Sequence, residues 1–295
     1  MNYETPKFSK FDKKLDTLGK GISGQVELFE TKKGIKYAVK TYYSRKNYES
    51  KKDFKIRILH EYDILSKLSH WNIIQQYKYD VSFSGSTIKL FMMAGSPNLL
   101  KLLRSNKDID QNELLCFWKQ ICQGIKYLHN LNICHRDLKL ENLVFDLEYR
   151  FIKIIDFTTA HEITKTNPYS IGLVGSENYA APETFASLKY DGKASDIWSI
   201  GIILCYLMNK KYPWKSAQWN DENYKQYQSQ FNSNEKENIS LFNLEPDAIK
   251  ESQILNPDAE QRISIFDFDY FLWFENIRYC NSSTTCGYNH NENFR

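Results

Sequence analysis

Residues 134–146 read CHRDLKLENLVFD, and no other stretch restricts the chain so tightly. Asp137 and Asn142 put a proton-accepting carboxylate and a neutral, metal-ligating oxygen on one short loop, and Lys139 between them can balance the charge of a phosphoryl group in transit. Beyond Asn142, the apolar run KIID ends on a second carboxylate, Asp156. Magnesium prefers oxygen donors and bridges substrate phosphates, so Asn142 and Asp156 are its expected ligands. A fold that uses these residues must bring two loops to the mouth of one pocket.

The chain before this loop reads as β structure from Phe11 to Leu90, with LGKGISGQVELFE and IKYAVKTYY alternating as in a half-buried antiparallel sheet. Gly19, Gly21 and Gly24 form a G-x-G-x-x-G. Dinucleotide folds share that spacing, but there it opens a helix. Here the strand-like QVELFE follows, so a strand–turn–strand cover over phosphates is expected. Lys40 ends YAVK, and one helix, DFKIRILHEYDILSKL, sets Phe54, Ile58, Leu65 and Leu68 on a stripe that also carries Glu61. A carboxylate among core positions needs a partner. Lys40 supplies it, with its ammonium pointed at phosphate oxygens as a fixed charge.

The second half reads as mainly helical. Asp110 with Glu113 makes a capping-box signature ahead of an amphipathic helix carrying Leu114, Trp118, Ile121, Ile125 and Leu128. The run IWSIGIILCYLM, 197–208, is a buried helix, too short for a bilayer crossing of roughly 20 residues. A polar stretch from Ser216 to Ser240 reads as a surface insertion and CNSSTTCGYNHNENFR as a loosely ordered tail. Sheet then helices predicts an α+β chain of two lobes with a cleft between them. A formal net charge of +3 gives no reason to expect nucleic acid as a partner. The amino terminus has no apolar signal region, and six scattered cysteines suit a reducing compartment, so a soluble, cytoplasmic protein is expected. Cys280, Cys286 and His290 offer three zinc ligands, but no fourth follows at a usual spacing, and they are expected to be unliganded tail residues.

Together these motifs resemble the eukaryotic protein kinases: the glycine loop, Lys40, Glu61, His135-Arg136-Asp137, Asn142, Asp156-Phe157, Ala181-Pro182-Glu183, Asp196-Ile197-Trp198-Ser199-Ile200-Gly201 and Arg262. The resemblance implies a bilobal kinase-like fold and ATP with Mg2+ as cofactors. It implies that Met92 is the gatekeeper, that Met93, Ala94 and Gly95 form the adenine-binding hinge, and that Val26, Ala38 and Leu143 sandwich the base. Glu183 would pair with Arg262. Lys139, with Gly175-Ser176 ahead of the Ala-Pro-Glu, resembles serine/threonine kinases, Ser176 orienting Asp137 and Lys139 toward a protein substrate. YPWKSAQWNDENYKQY and the cysteine-containing tail are similar to the fungal nitrogen-permease-reactivator and halotolerance group, associated with control of membrane transporters. The implied division is an extension 1–10, a kinase domain 11–278 with lobes 11–94 and 95–278, and a tail 279–295.

Thr158 stands where glycine usually follows Asp-Phe, and a β-branched residue narrows the conformations of that turn. It motivates a second reading, a pseudokinase scaffold that binds without transfer; a small-molecule kinase of related fold is a third. Lys40, Asp137, Asn142 and Asp156 are all retained, which favours the active enzyme. Arg136 beside Asp137 resembles kinases activated by an arginine–phosphate pair; the segment from Asp156 to Glu183 offers Thr164, Thr166, Tyr169 and Ser170, of which Ser170 is the first choice.

Overall fold

The computed structural model describes residues 5–20, 24–42, 49–105, 108–232 and 253–294. Alternating apolar residues in the first part build strands β1 (Lys13–Lys20), β2 (Gly24–Glu30), β3 (Lys36–Tyr42), β4 (Gln76–Val81) and β5 (Ile88–Met93). They form one antiparallel sheet in the order β1-β2-β3-β5-β4. Side chains along a strand alternate between faces. Tyr37 and Val39 of the central β3 therefore pack outward with Phe8, Phe29 and Phe91, while Ala38 and Tyr42 face Phe54 and Ile58. Lys40 shares the register of Ala38 and Tyr42, so the strand's period alone directs it toward the helix on that face.

That helix is α1 (Lys51–Leu65). Ser50 caps it, its Oγ accepting from the Asp53 N–H at 3.1 Å. The helix buries Phe54, Ile58, Glu61, Ile64 and Leu65 along one stripe. The change from sheet to helices falls between β5 and α2 (Leu99–Ser105).

The second lobe is built on α3 (Gln111–Asn130) and α5 (Gly192–Asn209), which share its apolar core. Asp110 caps α3, accepting from the Asn112 N–H at 2.8 Å, and Trp118 donates from Nε1 to the Ile200 carbonyl at 2.9 Å. Nearly every residue of α5 is buried, as the run 197–208 predicts. No helix among the described residues is long and apolar enough to cross a membrane. Between α3 and α5 the chain forms two short two-stranded sheets that hold the candidate site loops: β6 (Ile133–Cys134) with β9 (His161–Glu162), and β7 (Leu143–Phe145) with β8 (Ile152–Ile154). A third pairs β10 (Ser170–Ile171) with β11 (Lys189–Tyr190).

Two sequence expectations need correction. The polar stretch from Ser216 is not all surface insertion: helix α6 (Glu222–Asn232) buries Tyr224 and Tyr227 against Trp214, two aromatic anchors that outweigh the surrounding Asn and Gln. Positions 233–240 lie outside the described residues. The carboxyl-terminal segment is not a loose tail. Cys280, Cys286 and His290 are buried, and Phe294 meets the rings of Phe145 and Tyr149 at 5.5 and 6.0 Å.

Candidate active site

Lys40 and Glu61 are joined where β3 faces α1. The ammonium lies 2.9 Å from Glu61 Oε2 and 2.9 Å from Asp156 Oδ1, so it bridges the two lobes. Glu61 is buried and takes two further donors, the Tyr42 hydroxyl at 2.9 Å and the Phe157 N–H at 3.3 Å. Burial alone would disfavour the Lys40 cation, but the charges of Glu61 and Asp156 outweigh it and hold the pKa well above its ordinary value. Burial would likewise favour neutral Asp156. The Lys40 charge and hydrogen bonds from Lys40 and Thr158 reverse that, and the carboxyl pKa falls to about 2.

The backbone of Asp156 has φ 65°, in the left-handed region, whereas Thr158 has no positive φ. This corrects the concern about the missing glycine. The demanding position of the turn falls on an aspartate, a residue that tolerates it, and Thr158 uses its hydroxyl to donate to Asp156 Oδ1 at 2.9 Å. Phe157 is fully buried against the His135 ring, 4.9 Å between centroids.

The loop carrying Asp137 is fixed from below by Asp196 at the start of α5. Its two carboxylate oxygens accept the N–H groups of His135 and Arg136, each at 2.8 Å, and Oδ2 also meets His129 Nε2 at 2.9 Å. Positive φ at Arg136, 69°, turns successive N–H groups toward one acceptor. Lys139 Nζ then donates to Asp137 Oδ2 at 2.7 Å and to Ser176 Oγ at 2.9 Å. Asn142 Nδ2 donates to the Asp137 carbonyl at 2.8 Å and to its Oδ2 at 3.0 Å. With Nδ2 committed, Asn142 Oδ1 is the atom on offer to a cation. Pairing of β7 with β8 brings the two expected ligands together, since the Ile155 N–H donates to the Asn142 carbonyl at 3.0 Å immediately before Asp156. An ionised carboxylate and an amide oxygen on adjoining strand ends suit a hard divalent cation.

An apolar cavity under the sheet is lined by Gly19, Val26, Ala38, Met92, Met93 and Gly95, among others. Leu143 does not line it. It is fully buried in the core, and Val144, the next residue on β7, faces the cavity instead, because adjacent strand residues point to opposite faces. Ala94 is also buried and is not in the lining. Gly95 permits the close approach of hinge and floor: a Cβ there would lie 2.6 Å from Val144 Cγ2. Gly24 packs on β3, where a Cβ would lie 2.1 Å from the Thr41 carbonyl oxygen. Gly21 lies outside the described residues.

Arg136 does not stand open to a phosphate. Its Nη2 donates to the Ile171 carbonyl at 2.6 Å and its Nε to the Tyr190 hydroxyl at 3.1 Å. Ser170 has 0% exposure, wedged between His161 Nδ1 at 3.1 Å and Cys134 Sγ at 3.5 Å, so a phosphate has no room there in this arrangement. Behind the segment, Glu183 and Arg262 form a two-point pair at 2.6 and 2.9 Å. Sequence reasoning missed the roles of Asp196, Tyr42 and Val144. The motif containing Asp196 signalled its importance, but only the fold shows which N–H groups it holds.

Residues 13–274 match the family described as protein kinase domain. The chain is 36% identical to the nitrogen permease reactivator protein of Saccharomyces cerevisiae over 213 residues, which cover 70% of this chain and 26% of that protein. It is 33% identical over 240 residues to the serine/threonine-protein kinase oca2 of Schizosaccharomyces pombe, 79% of this chain and 36% of that protein. It is 30% identical over 231 residues to the serine/threonine-protein kinase HAL4/SAT4 of Saccharomyces cerevisiae, 74% of this chain and 38% of that protein. The chain thus spans between 26% and 38% of the length of these relatives.

Proposed function

This chain belongs to the protein kinase family, and from that premise we propose that it is a serine/threonine protein kinase that transfers the γ-phosphoryl group of ATP to protein hydroxyls with Asp137, Lys139, Asn142, Lys40 and Asp156 as the working groups. One observation carries the reading: Lys40 lies within 2.9 Å of both Glu61 and Asp156, so the residue that orients phosphates and a carboxylate that can hold a metal are assembled together.

Asp137 positions the substrate hydroxyl and accepts its proton. Lys139, held to Asp137 and Ser176, places a positive charge beside the transferring group, and Asn142 keeps the Asp137 carboxylate in its rotamer. Lys40, anchored by Glu61, fixes the α and β phosphates, while Val26, Ala38 and Val144 enclose the base below the hinge at Met93 and Gly95. Asn142 Oδ1 and the ionised Asp156 would hold Mg2+, whose charge would offset that of the phosphates. The domain spans 11–278. A cytoplasmic location is supported by six cysteines, none of them joined in a disulfide. Similarity to the nitrogen permease reactivator makes membrane permeases the substrates to examine first.

The test is a degenerate serine/threonine peptide array with Mg-ATP. The wild-type chain should label it, and Asp156→Asn should lower the rate by about 10³-fold or more, the scale of a lost transition-state charge interaction. A wild-type chain that binds nucleotide yet labels neither itself nor any peptide would leave the pseudokinase reading in place.

A further inference from the structure

The chain's last segment returns to α3 and completes a cluster that spacing along the sequence does not reveal. Cys116 on α3 meets Cys280, Cys286 and His290, and all four ligand atoms lie within 4.8 Å of one another, all four residues buried. His290 Nε2 is 3.8, 3.5 and 3.4 Å from the sulfurs of Cys116, Cys280 and Cys286, and the sulfurs of Cys280 and Cys286 are 3.7 Å apart. A tetrahedral zinc ion with Zn–S of about 2.3 Å and Zn–N of about 2.0–2.1 Å sets edges of about 3.8 Å between sulfurs and about 3.6 Å between sulfur and nitrogen. The four edges given lie within about 0.2 Å of those lengths, and the two from the Cys116 sulfur to the other sulfurs are within 4.8 Å. A disulfide would require about 2.05 Å.

The surroundings are also those of a metal ligand set. Glu113, one turn before Cys116 on α3 and 1% exposed, has Oε1 2.6 Å from His290 Nδ1. A carboxylate there holds the proton on Nδ1 and leaves the Nε2 lone pair aimed at the three sulfurs. The Cys280 N–H and Gln120 Nε2 donate to Cys116 Sγ at 3.4 and 3.5 Å, contacts that stabilise a thiolate. Three thiolates and one imidazole are soft donors that select zinc over magnesium or calcium, and a closed set of four protein ligands leaves no position for a substrate.

We propose that Cys116, Cys280, Cys286 and His290 bind one structural Zn2+, which fastens the carboxyl-terminal segment to the second lobe. Three thiols release their protons to solvent as the ion binds, and no redox change occurs. The fastened segment seats Phe294 against Phe145, the strand residue whose carbonyl accepts the Ser96 N–H at 2.9 Å behind the hinge. The proposal departs from the expectation of unliganded tail residues. The missing fourth ligand lies 164 positions upstream of Cys280.

The test uses the whole chain, purified without chelator, and reads metal rather than kinase activity, so its outcome is separate from that of the proposed phosphotransfer. Elemental analysis should find about one zinc per chain, and exchange with Co2+ should give the visible bands of a four-coordinate site with thiolate charge transfer. His290→Ala and Cys286→Ser, both in the terminal segment and outside the main core, should lose the metal and lower Tm. Cys205→Ser, outside the cluster, should retain about one zinc. A reduced wild-type chain that takes up neither zinc nor cobalt overturns the proposal, as does a His290→Ala, Cys286→Ser double variant that keeps its metal.

Discussion

Lys153 on β8 is buried, and burial drives its ammonium pKa from 10.5 down to about 8. Unfolding returns the group to its ordinary value, so between pH 8 and pH 10.5 the unfolded chain binds more protons and stability rises with pH. Below pH 8 both states are protonated and the full penalty, about 3 kcal/mol, stands. Urea unfolding across pH 7–10 should show this rise in the wild type and lose it in Lys153→Met. At this scale the site was largely legible, because Asp137, Lys139 and Asn142 share one loop whose chemistry follows from residue type. The floor of the cavity was not: Leu143 and Val144 are both apolar, and a one-residue step on a strand exchanges core for pocket. Nor was the conformation of the turn at Thr158, since the positive φ falls two residues earlier.

Elements are held by a few buried charges. Arg262, with a 0% exposed side chain, donates to both oxygens of Glu183, to the Ala194 carbonyl at 2.8 Å and to the Asn256 carbonyl at 3.0 Å, tying α4 (Pro182–Ala186) to α5 and the chain beyond α6. Removing one partner leaves the other charge uncompensated. Arg262→Met should therefore lower stability by about 3–5 kcal/mol, and adding Glu183→Met should recover part of that loss, as measured by denaturant unfolding. The elements themselves were mostly legible from the sequence. Period-two alternation marked β3, and the α1 stripe placed Glu61 on the face that Lys40 also occupies. Helix α6 escaped because its Asn, Gln and Glu content hides two buried tyrosines.

For the whole molecule, the Lys40 bridge from Glu61 to Asp156 joins the lobes, and a ligand held from both sides should raise global stability. Mg-ATP at 100 times its dissociation constant should stabilise the chain by about 2.7 kcal/mol, and Lys40→Ala should abolish the shift in a thermal melt at the same nucleotide concentration. Contiguous motifs and hydrophobic period were sufficient to anticipate two lobes, the Lys40–Glu61 pair and the loop that groups Asp137, Lys139 and Asn142, because those features depend on short motifs and local periodicity. Only folding could choose between neighbouring side chains at the cavity floor, bury Ser170 beneath His161, and carry Cys116 to the three donors of the terminal segment. Those outcomes depend on packing between segments far apart in sequence, where spacing along the backbone carries no distance in space.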